Sequence, residues 1–309
     1  MGAPQGRLTL TTGVPVLTTD VTGAATIYYT PYVGDYVPIY NGSTWTMTQF
    51  AELSQALSDT AKSPAAAAAN SNYDMFVWND GGTLRCTRGP LWTSDTARGT
   101  GAGTTELSRV NGLWTNAFAI TNGPGAGLGT YVGTIRTDAT PACNMLFAPA
   151  AASGGAANRL DVWNAYNRID VASTNRDSTA TWTYNTVTWR ARNNNANNGI
   201  SYVCGLDEDA FSATTDMTAS HSTADQAVIG LGLDTTSALH AQSSATWVAS
   251  NTINKFISAF AALSILGGIG FHTVYPLEQG SGATATWRNN TTGGAGTDAR
   301  GTMRLSLPM

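Results

Sequence analysis

Three times within its first 120 residues the chain passes through β-branched and aromatic side chains, meets a glycine-containing turn, and returns through more of the same. Val37-Pro38-Ile39-Tyr40 meets Asn41-Gly42 and continues as Ser43-Thr44-Trp45-Thr46-Met47. Residues 73–78 meet Asn79-Asp80-Gly81-Gly82 and continue through 83–87; residues 106–110 meet Asn111-Gly112 and continue through 113–116. Asn-Gly between two such runs predicts a hairpin, because a type I′ turn needs positive φ at both central positions and these residues tolerate it. Leu8 and Leu10, residues 26–29 and residues 130–137 add further strands, so the first half reads as an antiparallel β-domain.

A chain built this way needs little charge. Only 12% of its residues are Asp, Glu, Lys or Arg, about half the ordinary share, which excludes coiled coils and long charged helices. Thr, Ser, Asn and Gly supply the polar surface instead. A net charge of −4 gives no reason to expect a nucleic-acid partner. The three cysteines, Cys86, Cys143 and Cys204, are far apart with no CxxC, so free buried thiols are expected rather than a disulfide framework or zinc site. The opening residues lack an apolar signal segment, so synthesis in the cytoplasm without a signal peptide is expected. Residues 256–271 are apolar but too short and too rich in glycine to span a bilayer, so no membrane insertion is expected.

One helix is expected in the first half. Phe50, Leu53 and Leu57 fall on one helical face, Thr48 stands where a cap would, Glu52 lies in the first turn, and Pro64 ends the segment. The Ala/Gly-rich residues 147–158 lack periodicity and side-chain volume, and so mark a linker between residues 1–146 and residues 159–309. Strands follow at 159–166, 168–173, 181–192, 199–205, 227–233 and 244–249. Within 181–192 the aromatic positions change phase, which demands a bulge or turn near Asn185-Thr186. Residues 256–271 read as a buried helix or two apolar strands, and Gly267, Gly268 and Gly270 favour a short helix ending before His272. Met303, Leu305 and Leu307 alternate with polar neighbours in a terminal strand. The fold expected is mainly β, with two antiparallel domains: the first hairpin-rich with one helix, the second a jelly-roll-like sandwich.

Chemistry is harder to find. His221, His240 and His272 show no metal-ligand spacing, and HExxH and GxSxG are absent, so no metal, cofactor or catalytic residue is assigned. Asp207-Glu208-Asp209 is the one acidic cluster; it reads first as a solvated turn, with Ca²⁺ binding and carboxylate catalysis as the alternatives. The glycine strings at 99–103 and 123–129 precede strands rather than helices, so they read as loops and not phosphate cradles. Arg85, Arg88, Arg98 and Arg109 fall in neighbouring hairpins, where Asp80, Asp95 and Glu106 are available to pair with them. Trp182, Tyr184 and Trp189 are the candidate binding residues, since exposed aromatic rings stack on sugars; Tyr202, Trp163, Trp247 and Trp287 recur in the same half, where core packing is the competing use.

Several strings taken together carry a resemblance. They are Gly6-Arg7-Leu8-Thr9-Leu10-Thr11, Thr26-Ile27-Tyr28-Tyr29-Thr30-Pro31-Tyr32-Val33-Gly34, Tyr73-Asp74-Met75-Phe76-Val77-Trp78-Asn79-Asp80-Gly81, Thr93-Ser94-Asp95-Thr96-Ala97-Arg98-Gly99 and Gly129-Thr130-Tyr131-Val132-Gly133-Thr134-Ile135-Arg136-Thr137. The chain thereby resembles structural proteins of tailed bacteriophages, prophages and gene transfer agents over residues 6–138, and more loosely over 163–205. The resemblance implies a virion role as a fibre, spike or decoration subunit of head or tail, and brings no catalytic residue with it. The expectation is therefore a non-enzymatic virion protein that forms a homo-oligomer (a trimer first), touches other virion proteins, and helps attachment to host surface polysaccharide. The alternatives are a spike enzyme cleaving capsular polysaccharide through Asp207, Glu208 or Asp209, and a purely architectural capsid decoration protein.

Overall fold

A computed structural model of the chain describes residues 2–221, 225–250, 257–289 and 301–309. The first half runs β1 (Gly6–Thr9), β2 (Val21–Ala24), β3 (Thr26–Pro31), β4 (Tyr36–Tyr40), β5 (Trp45–Gln49), β6 (Leu53–Ala56), β7 (Asn72–Asp80), β8 (Thr83–Leu91), β9 (Leu107–Val110), β10 (Leu113–Asn116), β11 (Thr130–Arg136) and β12 (Cys143–Met145). The second half runs β13 (Asn158–Leu160), β14 (Val162–Asn164), β15 (Asp170–Arg176), β16 (Thr181–Tyr184), β17 (Arg190–Ala191), β18 (Ile200–Cys204), β19 (Ala210–His221), β20 (Asp225–Leu233), β21 (Thr246–Ser250), β22 (Ile257–Leu266), β23 (Gly270–Gln279), β24 (Ala285–Arg288) and β25 (Thr302–Pro308). Two single 3₁₀ turns, 192–194 and 196–198, are the helical elements among the described residues. The fold is mainly β and sandwich-like. No described helix is long and apolar enough to cross a membrane.

The turn chemistry explains the first half. β9 and β10 pair through Asn111 (φ 49°) and Gly112 (φ 94°), and β7 and β8 through Gly81 (φ 58°) and Gly82 (φ 100°), each with both turn residues at positive φ. The β4–β5 hairpin differs from expectation. Its loop is Asn41 to Thr44, in which Gly42 alone has positive φ and the Asn41 carboxamide oxygen accepts from the N–H groups of Ser43 (2.9 Å) and Thr44 (2.8 Å). β11, buried along its whole length, is central: its neighbours are β7, β10 and β14.

An eight-stranded sheet (path β2-β12-β13-β18-β23-β20-β21, with β17 on β23), which takes β2 and β12 from the first half, faces a six-stranded sheet (path β15-β25-β19-β24-β16, with β22 on β19). β19 buries Phe211, Ala213, Met217 and Ala219 while Ser212, Thr214 and Thr218 face outward. A fully buried side chain the size of Phe211 contributes roughly 1.5–3 kcal/mol. β13–β18 is a parallel pair within this otherwise antiparallel framework.

Three expectations are overturned. The helix around Phe50, Leu53 and Leu57 is replaced by β5 and β6: Thr48 pairs with Val37, Leu53 with Tyr29, and Phe50 stacks on Tyr29 at 5.0 Å. An apolar spacing of three and seven also fits two short strands joined by a bend, and the β-branched Thr46 and Thr48 settle in the hairpin. Glu52 does not serve a helix start; it accepts hydrogen bonds from Thr30 (2.6 Å) and from the N–H of Gly13 (2.6 Å). For residues 256–271 the favoured short helix is overturned and the alternative of two apolar strands holds. Phe256 lies outside the described residues, and the rest forms β22 and β23, with Ala259, Ala261 and Leu263 inward and Ser258, Phe260 and Ser264 outward; Gly268 (φ 70°) and Gly270 (φ 110°) make the reversal.

The third concerns residues 147–158. A linker between separately cored domains would have few pairings across it, but β12 pairs with β13, β11 pairs with β14, and one buried apolar cluster includes residues from both halves. The segment instead runs along the edge of β15. Thr174 N–H donates to the Phe147 carbonyl (2.7 Å), Ser178 N–H to that of Ala152 (2.9 Å), and the Asn158 carboxamide to that of Thr174 (3.1 Å). Its small side chains allow close backbone approach, and it engages the edge at Thr174. A matching seam closes β22, where Ser244 N–H donates to the Ala262 carbonyl (2.8 Å) and Ala262 N–H to the Ser244 hydroxyl (2.7 Å).

Candidate functional site

The aromatic residues of 181–192 divide between the two sides of the sandwich. The expected phase change is present: β16 belongs to the six-stranded sheet and β17 to the eight-stranded one, with the turn between them. Trp182 points inward beside its cross-strand partner Trp287, which is fully buried. Its indole N–H donates to Glu278 Oε2 (2.7 Å), and Arg190 Nε donates to Glu278 Oε1 (2.7 Å). Tyr184 is held by its hydroxyl, which donates to the Thr188 carbonyl (2.8 Å), and by the Arg190 guanidinium 3.7 Å above its ring. Two of the three candidate rings are therefore committed to internal contacts.

Trp189 lies on the opposite face, outside the eight-stranded sheet. Gly230 of β20 makes room for it: a Cβ there would stand 3.5 Å from Trp189 Cη2 and 2.2 Å from Leu239 Cδ1. Val228, two residues earlier and so on the same face, sits in a row across three strands between Trp247 of β21 and Gln279 of β23. Trp247 is 57% exposed, and Gln279 Nε2 donates to the carbonyl of Val187, itself 65% exposed. On this side of the sheet Trp247 and Val187 are exposed, Trp189 and Gln279 are half-buried, and Val228 between Trp247 and Gln279 is covered. Sequence reasoning named Trp247 only as a recurring tryptophan; its cross-strand register with Val228 and Gln279 is what places it here. An exposed indole plane suits an uncharged pyranose, whose C–H face stacks on it.

Glu278, which sequence reasoning missed, is fully buried. Burial pushes its carboxyl up to about 7; the Arg190 charge and the Trp182 and Arg190 hydrogen bonds oppose that rise without cancelling it. Next to it the Asn-rich loop 193–198 forms an interior polar network. Arg192, fully buried and lowered to about 10 by burial, donates from Nε and Nη2 to the Asn198 carboxamide oxygen (3.0 and 2.8 Å). Asp177 accepts from Thr179 N–H (2.8 Å), Gly154 N–H (2.9 Å) and Asn193 Nδ2 (2.9 Å); burial alone would raise its carboxyl, but these bonds prevail and lower it.

The acidic cluster 207–209 stands at a turn, where Arg168 reaches both Glu208 (3.3 Å) and Asp209 (2.9 Å). No group of three or more His, Cys, Asp and Glu side chains suited to a metal ion occurs among the described residues. His272 Nδ1 lies 2.7 Å from Asp234 Oδ2 at the sheet surface. Of the expected arginine pairs, Arg85 meets Asp80 (2.6 Å), but Arg98 meets Asp74 (2.6 Å), Asp95 is taken by Arg136, and Glu106 accepts from Gly101 N–H (2.7 Å).

No protein-family model matches the chain, and no curated protein matches it. Among solved structures it is similar to dimeric latent PorU from Porphyromonas gingivalis, with a TM-score of 0.27 and 8% identity. That similarity covers 78% of this chain and 24% of the PorU chain, so the chain spans about a quarter of that protein. A likeness so slight bears on neither fold nor function.

Proposed function

We propose that the protein is a non-enzymatic structural subunit of a virion, a fibre, spike or decoration protein of head or tail, that binds host surface glycans through the outer face carrying Trp189 and Trp247. The virion role rests on the resemblance in residues 6–138. The observation supporting the binding role is the row Trp247–Val228–Gln279 with Trp189 alongside, in which the exposed Trp247 indole offers a stacking plane. The subunit works as a homo-oligomer, a trimer first, and meets other virion proteins. The carboxylates of 207–209 do not favour the spike-enzyme alternative, because Arg168 engages two of the three.

Binding to a glycan array and to host cells tests the first role, using the purified oligomer and Trp247→Ala. Loss of one stacking indole is expected to weaken binding about tenfold or more while leaving the unfolding midpoint nearly unchanged, since Trp247 is mostly exposed. Full binding by Trp247→Ala and Trp189→Ala alike would remove this face from consideration. Absence of the protein from purified particles would remove the virion role. Release of reducing sugar from capsule, abolished by Asp207→Ala or Asp209→Ala, would install the enzyme in its place.

A further inference from the structure

His272 stands near the start of β23, opposite Tyr202 of β18, and is 9% exposed. Both of its ring nitrogens face oxygen: Nδ1 lies 2.7 Å from Asp234 Oδ2, and Nε2 lies 3.2 Å from the Ile269 carbonyl. A neutral imidazole carries one N–H and satisfies one such acceptor, whereas the imidazolium satisfies both. Both acceptors are held in place. Asp234, the residue after β20, has its other carboxylate oxygen on the Thr273 N–H (2.8 Å), and its own N–H donates to the Thr273 carbonyl (2.8 Å). Ile269 belongs to the reversal between β22 and β23, where Gly268 (φ 70°) passes so close that a Cβ would stand 3.0 Å from His272 Nε2.

The same reversal carries a contact between the two halves of the chain. Phe271 N–H donates to the Asp95 carbonyl (2.8 Å), and the Phe271 ring is approached by the guanidinium groups of Arg136 (4.3 Å) and Arg159 (5.4 Å). Gly267 N–H donates to the Asp209 carbonyl (3.0 Å), and its carbonyl accepts from the Tyr202 hydroxyl (2.6 Å). The groups around His272 are Asp234, Asp207 beyond β18, and the Tyr202 ring at 5.7 Å, with the Cys204 thiol bordering Gly267. Burial lifts Tyr202, and lifts Cys204 to about 12, so neither gains charge near neutral pH. Burial alone would lower the His272 ring; the Asp234 hydrogen bond and charge, then the Ile269 carbonyl and Asp207, prevail and hold it above its usual 6.5. We propose that His272 is a pH-operated clasp, which as imidazolium ties the 267–270 reversal to Asp234 and so steadies the Phe271–Asp95 contact between the halves. On losing a proton it keeps its N–H on the Asp234 carboxylate and turns a lone pair toward the Ile269 carbonyl, which frees the reversal. The clasp is closed in full below pH 6.5 and opens as the pH climbs through the raised value.

The test uses the intact protein. Ring nitrogen chemical shifts of the wild-type protein, followed by NMR from about pH 5 to about pH 9, report protonation of both His272 nitrogens without any variant. Amide hydrogen exchange is read alongside, as protection relative to an unstructured chain at the same pH, which removes the base catalysis of exchange itself. Protection of the Phe271 and Gly267 N–H groups is expected to fall about tenfold or more, the worth of one charge-assisted hydrogen bond, with the midpoint of the ring titration. Glu278 on the same strand titrates at about 7, and His240 lies in the loop after Asp234, so the measurement is repeated in Glu278→Gln and His240→Gln, where the fall is expected to persist. In His272→Gln it is expected to vanish, with protection low throughout. A single N–H on the ring at about pH 6, protection that stays level through the His272 titration, or a fall that survives in His272→Gln or disappears in Glu278→Gln or His240→Gln would overturn the proposal.

Discussion

Glu278 gives the sharpest physical test of the interior. Its carboxyl is fully buried between the two sheets of the sandwich and is raised from 4.5 to about 7, with burial as the principal cause. The folded protein therefore holds this proton more tightly than the unfolded chain does. Stability from this group is fully present below about pH 4.5 and is lost as the pH climbs through 7. At 1.36 kcal/mol per pH unit the loss amounts to roughly 3 kcal/mol across that window. Glu278→Gln keeps the shape and removes the titration. Urea unfolding of both proteins, followed by tryptophan fluorescence between pH 5 and pH 8, isolates the effect, because other titrating groups cancel in the difference. The stability of the wild-type protein relative to the variant is expected to fall with rising pH by most of that amount. A difference that stays level within about 0.5 kcal/mol, or that grows with pH, would show that Arg190 and Trp182 stabilise the carboxylate fully and that the burial argument is wrong.

Other expectations follow from the same structure. Arg98→Met leaves Asp74 buried without its ion-pair partner, and is expected to cost about 3–5 kcal/mol in denaturant unfolding; a loss below 1 kcal/mol would mean that Thr105 and Thr134, which also donate to Asp74, suffice. Gly112→Ala places a Cβ at φ 94° where no neighbour crowds it, and is expected to cost about 1 kcal/mol or slightly more in denaturant unfolding from the backbone alone. All three thiols are buried, and burial pushes Cys86 to about 12, so none should react with a disulfide reagent until the protein unfolds, when three equivalents are consumed.

Local turn chemistry made part of this fold legible. Asn111-Gly112 and Gly81-Gly82 need no tertiary help to specify a reversal, and the structure has hairpins at both. The terminal alternation of Met303, Leu305 and Leu307 was likewise sufficient, since a period of two with one buried face has few other solutions. The helix assigned to Phe50–Leu53–Leu57, and the short helix favoured over two strands at 256–271, failed for the opposite reason. Their apolar spacing fits more than one secondary structure, and the choice is made by distant partners such as Tyr29 for Leu53 and β19 for β22. The candidate face was half legible. Aromatic content drew attention to these strands, but which rings face outward depends on the crossing from β16 to β17 and on register with Val228, neither of which composition records. Glu278 gave no sequence signal beyond being charged in a chain that has few charges.

The strip 147–158 lying along β15, with the seam at Ser244 and Ala262 on the other flank, has a consequence for how copies of this chain meet. At Thr174 on one flank and Ala262 on the other the main chain is already engaged, so a neighbouring molecule finds the ladder interrupted there. Contacts made at those points must be written in side chains, which can be specific and reversible, and such interruptions work against the open-ended pairing to which bare sheet margins are prone.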